Sequence, residues 1–234
     1  MRVRALAVVL AAGTLLAGAG SARAQNTREE NLAWCTSDDL MHKMRGCTAL
    51  IESGQEKPET LAIAYANRGM ALIENGQWDT AIQDFDQAIK LKPNNADALA
   101  GRGAVYEQKG QFDQAASDFD SALKLDPSNA KALTGRGRAF SRKKDFDHAI
   151  EDYTQSIKGD PNNARTFDLR ASAYREKAQY DLAIQDCDQA IKLDPDDALC
   201  YYVRGLSKQK RGDKSGGKAD VAKAKQLDPK LDQK

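Results

Sequence analysis

The chain has 234 residues, 35 of them basic and 34 acidic, so its formal net charge is only +1. That balance gives no global electrostatic reason to bind nucleic acid. The four cysteines include no CxxC, which argues against a redox enzyme, and His42 and His148 have no partner at metal-ligand spacing, so neither a metal nor a cofactor is expected.

In chain order, Arg2 and Arg4 precede a small, apolar run from Ala5 to Ala19, and Ala22-Arg23-Ala24 fits the small-x-small cleavage rule. Residues 1–24 read as a signal peptide cut after Ala24, with an uncleaved anchor helix as the alternative. The run is shorter than the about 20 residues that a membrane span needs, and no other stretch is long enough. The expectation is therefore a periplasmic or secreted protein with no membrane span after cleavage. Removing the leader leaves 32 basic and 34 acidic residues. The charge is uneven. Residues 96–129 carry three basic and six acidic side chains, whereas residues 198–234 carry ten and four.

Residues 25–36 are polar, and order is expected to begin only near Trp34. Asp38 to Ser53 has helical periodicity through Leu40, Met44, Cys47 and Ile51, and reads as the second helix of a degenerate leading unit. Gly54 to Glu59, with Pro58, reads as its exit loop.

From residue 62 a period of 34 takes over, marked by Pro93, Pro127, Pro161, Pro195 and Pro229. Such a period is the signature of a repeat array. After the N-terminal extension of residues 25–61, units are placed at 62–95, 96–129, 130–163, 164–197 and 198–234. Each begins with a polar pair that can cap a helix, as in Asn94-Asn95 or Asp196-Asp197. The first helix ends near Gly76 or Gly110, where glycine tolerates a left-handed cap. Lys144 and Ala178 take the matching places, so those turns must manage without glycine. Asp79, Asp113, Asp147 and Asp181 fall in the first turn of the second helix, where the dipole favours them, and proline then stops it.

In the second unit, Leu99, Gly103 and Tyr106 mark one inner face and Phe112, Ala115, Phe119 and Ala122 the other. These residues and spacings resemble the tetratricopeptide repeat. The resemblance covers Ala62 to Leu231. It implies an all-α fold, a right-handed α-solenoid of stacked antiparallel helical hairpins, with five 34-residue units behind a degenerate leading one. It also implies a non-enzymatic protein-binding scaffold with a concave groove. By the family arrangement the groove includes Asn67, Met70, Lys131, Arg138, Arg165, Asp168, Arg175 and Tyr202. Its basic end suits a protein or peptide partner of acidic character, and no nucleic acid. The lysine–asparagine clamp that some members use for C-terminal carboxylates is not reproduced, since Ala66 and Met70, or Ala100 and Ala104, stand where it would begin.

One departure recurs. Arginine precedes the glycine position at Arg68, Arg102, Arg136, Arg170 and Arg204, and an aspartate follows sixteen residues later at Asp84, Asp118, Asp152, Asp186 and Asp220. In an antiparallel hairpin the two positions lie level, which predicts an Arg–Asp pair within each unit. A ladder of arginines for an anionic ligand is the alternative. In the last unit a stripe that is Trp78/Ile82/Ile89 at the start of the array becomes Lys214/Lys218/Lys225. That is the polar cap a finite solenoid needs, or else a site for an anionic polymer or surface. A structural or accessory subunit is the third reading. Cys187 and Cys200 flank the Pro195 turn on neighbouring helices, which predicts one disulfide, with two buried thiols as the alternative. Cys35–Cys47 is then the second bridge.

Overall fold

A computed structural model describes residues 26–231. The expected leader and its cleavage site lie outside the described residues. Among the described residues there are twelve helices and no strand, and no helix is long and apolar enough to cross a membrane.

The leading hairpin pairs α1 (Arg28–Cys35) with α2 (Leu40–Ser53). Order begins earlier than composition suggested, because Thr27 and Glu30 form a reciprocal capping box that satisfies the free N–H groups of α1. Gly46 sits where the two helices cross. A Cβ there would lie 2.6 Å from the Asn31 carbonyl oxygen. Cys35 and Cys47 are joined by a disulfide across this crossing, as expected.

The five repeating hairpins follow: α3 (Pro58–Glu74) with α4 (Trp78–Leu91), α5 (Ala96–Gln108) with α6 (Phe112–Leu125), and α7 (Ala130–Arg142) with α8 (Phe146–Gly159). Then come α9 (Ala164–Glu176) with α10 (Tyr180–Leu193), and α11 (Ala198–Lys210) with α12 (Lys214–Leu227). Pro58 does not lie in a loop. It opens α3, because proline at the first helical position loses no hydrogen bond. As a result α3 starts four residues before the repeat register at Ala62.

Caps follow the sequence closely. Asn95, Asn129 and Asp197 accept the backbone N–H three residues on, whereas Asn163 makes no such bond. The inter-helix turns have φ of 72° at Gly76, 73° at Gly110 and 97° at Gly212. Lys144 and Ala178 adopt the same left-handed conformation, at 63° and 57°, where a side chain costs about 1–2 kcal/mol.

Two devices set the spacing of hairpins. The first is steric. Phe85 wedges between Gly69 of its own hairpin and Gly101 of the next, where an added Cβ would lie 2.8 and 2.5 Å from the ring. Phe119 does the same between Gly103 and Gly135, at 3.3 and 2.4 Å. The second is ionic. All five expected pairs form, each with the guanidinium gripping both carboxylate oxygens, as at 2.8 and 2.7 Å for Arg102 and Asp118. The remaining arm reaches back sixteen residues to the preceding hairpin, to Asp86, Asp120, Thr154 or Asp188. Each of these four arginines thus fastens its own hairpin and ties it to its neighbour. A further set of surface pairs links turns thirty residues apart: Lys109–Asp79, Lys143–Asp113, Lys177–Asp147 and Arg211–Asp181.

The last hairpin carries a different stripe. Lys214, Lys218 and Lys225 are exposed, whereas Ile89, Ile150, Ile157 and Ile191 on the equivalent stripe are partly buried and pack against the cores.

Candidate functional site

Consecutive first helices touch one another, α3 with α5, α5 with α7, α7 with α9 and α9 with α11. Consecutive second helices make no comparable contact among the described residues. The closer spacing puts the first helices on the inner side of the curve, where an elongated ligand meets several hairpins at once.

Two of the eight groove residues are exposed cations without an ion pair among the described residues. Lys131 and Arg165 occupy the same position of adjacent hairpins, 34 residues apart. The same position holds Ile63, Asp97 and Leu199 elsewhere, all exposed. Met70 is 44% exposed and Tyr202 half-buried.

The other four are committed within the fold. Arg138 is tied to Glu107 of the preceding first helix at 2.5 Å, a partner the sequence reading missed. Arg175 is bonded to Glu176. Asn67 donates its amide to the Cys35 carbonyl at 3.0 Å, which anchors the leading hairpin and removes it from the groove. Asp168 is only 6% exposed, because the start of α11 packs over it. The arginine ladder is likewise unavailable to an anion, since every one of its guanidinium groups is already paired within its hairpin.

The predicted Cys187–Cys200 disulfide does not form. Both are free, buried thiols. The Cys200 thiol instead points to Asp168 Oδ1 at 3.7 Å. Its hydrogen bond with Cys187, and then burial, raise its pKa above the usual thiol range. The space at this interface is refilled. Where Phe119 lies between Gly103 and Gly135, Cys187 shares a core with Ala171 and Val203 at the corresponding positions. Asp168 and Asp197 lie beside Cys200, and one oxygen or sulfur from each falls within 4.8 Å of the others. Burial, then the Asp197 carboxylate, push the Asp168 pKa up to about 7, with Arg165 and the Cys200 thiol pulling the other way. No spacing rule in the sequence joined these three, because 29 residues and a whole helix separate Asp168 from Asp197.

An open cleft of about 950 Å³ lies at the leading hairpin, lined by Arg28, Trp34, Arg45 and Glu52 among others. It is remote from the cation stripe. Its rim is fastened by Arg28 and Glu56 at 2.7 and 2.8 Å.

A family model describing a TPR repeat matches residues 69–110 and 171–212, and a second, describing a tetratricopeptide repeat, matches residues 105–164. No curated protein matches by sequence. Among solved structures, YrrB, described as a TPR protein with an unusual peptide-binding site, is 20% identical, with 79% of this chain and 93% of that one covered at a TM-score of 0.67. MamA is 22% identical over 74% of this chain and 94% of its own, at 0.65. MamA 41-end from Desulfovibrio magneticus RS-1 is 22% identical over 73% and 97%, at 0.66. At these identities the likeness is one of fold.

Proposed function

The chain belongs to the tetratricopeptide repeat family, and on that premise we propose that it is a non-catalytic scaffold that holds a protein segment of acidic character against its first helices, within the bacterial cell envelope. The observation that carries this reading is the pairing state of the groove. Among the described residues Lys131 and Arg165 stand exposed and without an ion pair at one register position, while Arg138 and Arg175 are paired with Glu107 and Glu176. Along the stripe the order is Ile63, Asp97, Lys131, Arg165 and Leu199, so the two cations lie between an exposed aspartate and an exposed leucine, and the terminal apolar residues are 50% and 42% exposed. An extended or helical segment with carboxylates facing Lys131 and Arg165, a neutral or basic residue facing Asp97 and an apolar anchor at each end complements that order. A peptide-binding site in YrrB, a protein of the same fold, supports the choice of ligand class. The envelope location rests on the leader-like residues 1–24.

The test is capture from envelope extract, followed by fluorescence anisotropy with the captured segment as a labelled peptide. Lys131→Glu/Arg165→Glu should weaken binding at least tenfold and leave the melting temperature within 2 °C or so, as expected for exposed positions. Binding that survives the double charge reversal would overturn the reading. Loss on neutralising Lys214, Lys218 and Lys225 instead would transfer the site to the basic end.

A further inference from the structure

Each repeating hairpin buries one aspartate against an arginine, and Asp168 is a sixth buried aspartate outside that scheme. Ala66, Ala100, Thr134 and Tyr202 hold its position in the other hairpins. It has no ion pair among the described residues. Its one hydrogen bond is the long contact from the Cys200 thiol. Buried carboxylates are ordinarily paired with a cation or bound to a metal. The one cationic influence on Asp168 is the exposed Arg165, which makes no ion pair with it, and the surroundings supply donors: Cys200, which is fully buried, and Asp197, which is half-buried.

We propose that Asp168, Asp197 and Cys200 bind one zinc-type divalent cation at the junction of α9, the Pro195 turn and α11. Zinc holds oxygen and sulfur donors tetrahedrally at about 2.0–2.3 Å, which sets them about 3.3–3.7 Å apart. The donor atoms here lie within 4.8 Å of one another, so side-chain shifts of about 1 Å bring them onto one ion. A thiolate favours zinc, cobalt or cadmium over calcium or magnesium. Three protein donors leave a fourth position for water. Binding releases the Cys200 thiol proton, and whatever proton Asp168 carries, to solvent, and the cation supplies the close counter-charge that Asp168 lacks. Asp197 also caps α11 through the Cys200 N–H at 2.9 Å, so the cation joins the cap of one hairpin to the first helix of the previous one.

The test uses the full chain, prepared anaerobically without added thiol and titrated with Zn²⁺ and, in parallel, Co²⁺. With Cys35 and Cys47 bridged, any sulfur-to-cobalt charge-transfer absorption must come from Cys187 or Cys200. The expected result is one equivalent bound with that absorption present, a raised melting temperature, and affinity reduced at least tenfold in Asp168→Asn and Asp197→Asn. Cys200→Ser should abolish the absorption. The wild-type spectrum needs no variant to fold. An absent charge-transfer band overturns the proposal, as does binding that Asp168→Asn leaves unchanged, or a thiol titration that finds Cys187 and Cys200 already oxidised.

Discussion

The interface between the second and third repeating hairpins and that between the fourth and fifth share one register and solve one packing problem in opposite ways. At the first, a large ring from α6 enters a gap left by two glycines, Gly103 and Gly135. At the second, the wedge shrinks to Cys187 and the walls grow to Ala171 and Val203. The volume is redistributed across the contact, as dense interiors require, and the exchange brings two thiols into the core beside Asp168. A repeat register therefore fixes where a contact is made and leaves its chemistry open.

Truncating the two wedges should have unequal effects. Phe119→Ala should cost about 3–5 kcal/mol, because the glycines cannot close the cavity, whereas Cys187→Ala should cost about 1 kcal/mol. Urea unfolding measures both. Equal costs would refute the account. Grafting sharpens it: Gly103→Ala and Gly135→Val should recover more than half of the stability lost by Phe119→Cys alone.

The ionic clamps differ along the array in a similar way, with the next largest effect. Burial raises the pKa of Asp186 despite Arg170. At Asp220 burial acts in the same direction, but Arg204 and Lys208 together hold the carboxyl below its ordinary range. A lowered native pKa means that the unfolded chain binds the proton more readily. The stabilisation is then complete above about pH 4 and is lost as the pH falls through the native value. Asp220→Asn should lower stability by about 3 kcal/mol at pH 6, a deficit that shrinks as the pH falls below about 4. A constant deficit across that range would refute the pairing.

The smallest effect concerns the turns. Ala178→Gly should stabilise by roughly 1 kcal/mol, because it relieves a left-handed alanine at φ 57°. Gly110→Ala should destabilise by a like amount. Thermal denaturation of the two variants checks both signs.

Much of the fold was legible, and for a local reason. Proline stops, polar caps and the spacing of Leu99, Gly103 and Phe119 act within one unit, and a period of 34 repeats them. The Arg–Asp pairs were legible because sixteen residues bring two positions level across a hairpin turn. The candidate groove was less so. Asn67 was spent on the leading hairpin and Arg138 on Glu107, contacts between units that no internal spacing encodes. The helix opened by Pro58 and the capping box at Thr27 were local signals that the residues carried and that composition masked.

The sequence by itself determined the number of hairpins, their register, the ion pair inside each and the lysine-faced ending, because every one of these depends on residues less than a repeat apart. Tertiary structure alone decided how one hairpin meets the next. It set which guanidinium arm reaches back to Asp86 or Asp188, which groove cations stay free, and that Asp168, Asp197 and Cys200 converge while Cys187 and Cys200 remain thiols. These outcomes depend on distances between stacked helices, and those distances are set by how wedge and wall share volume at each interface.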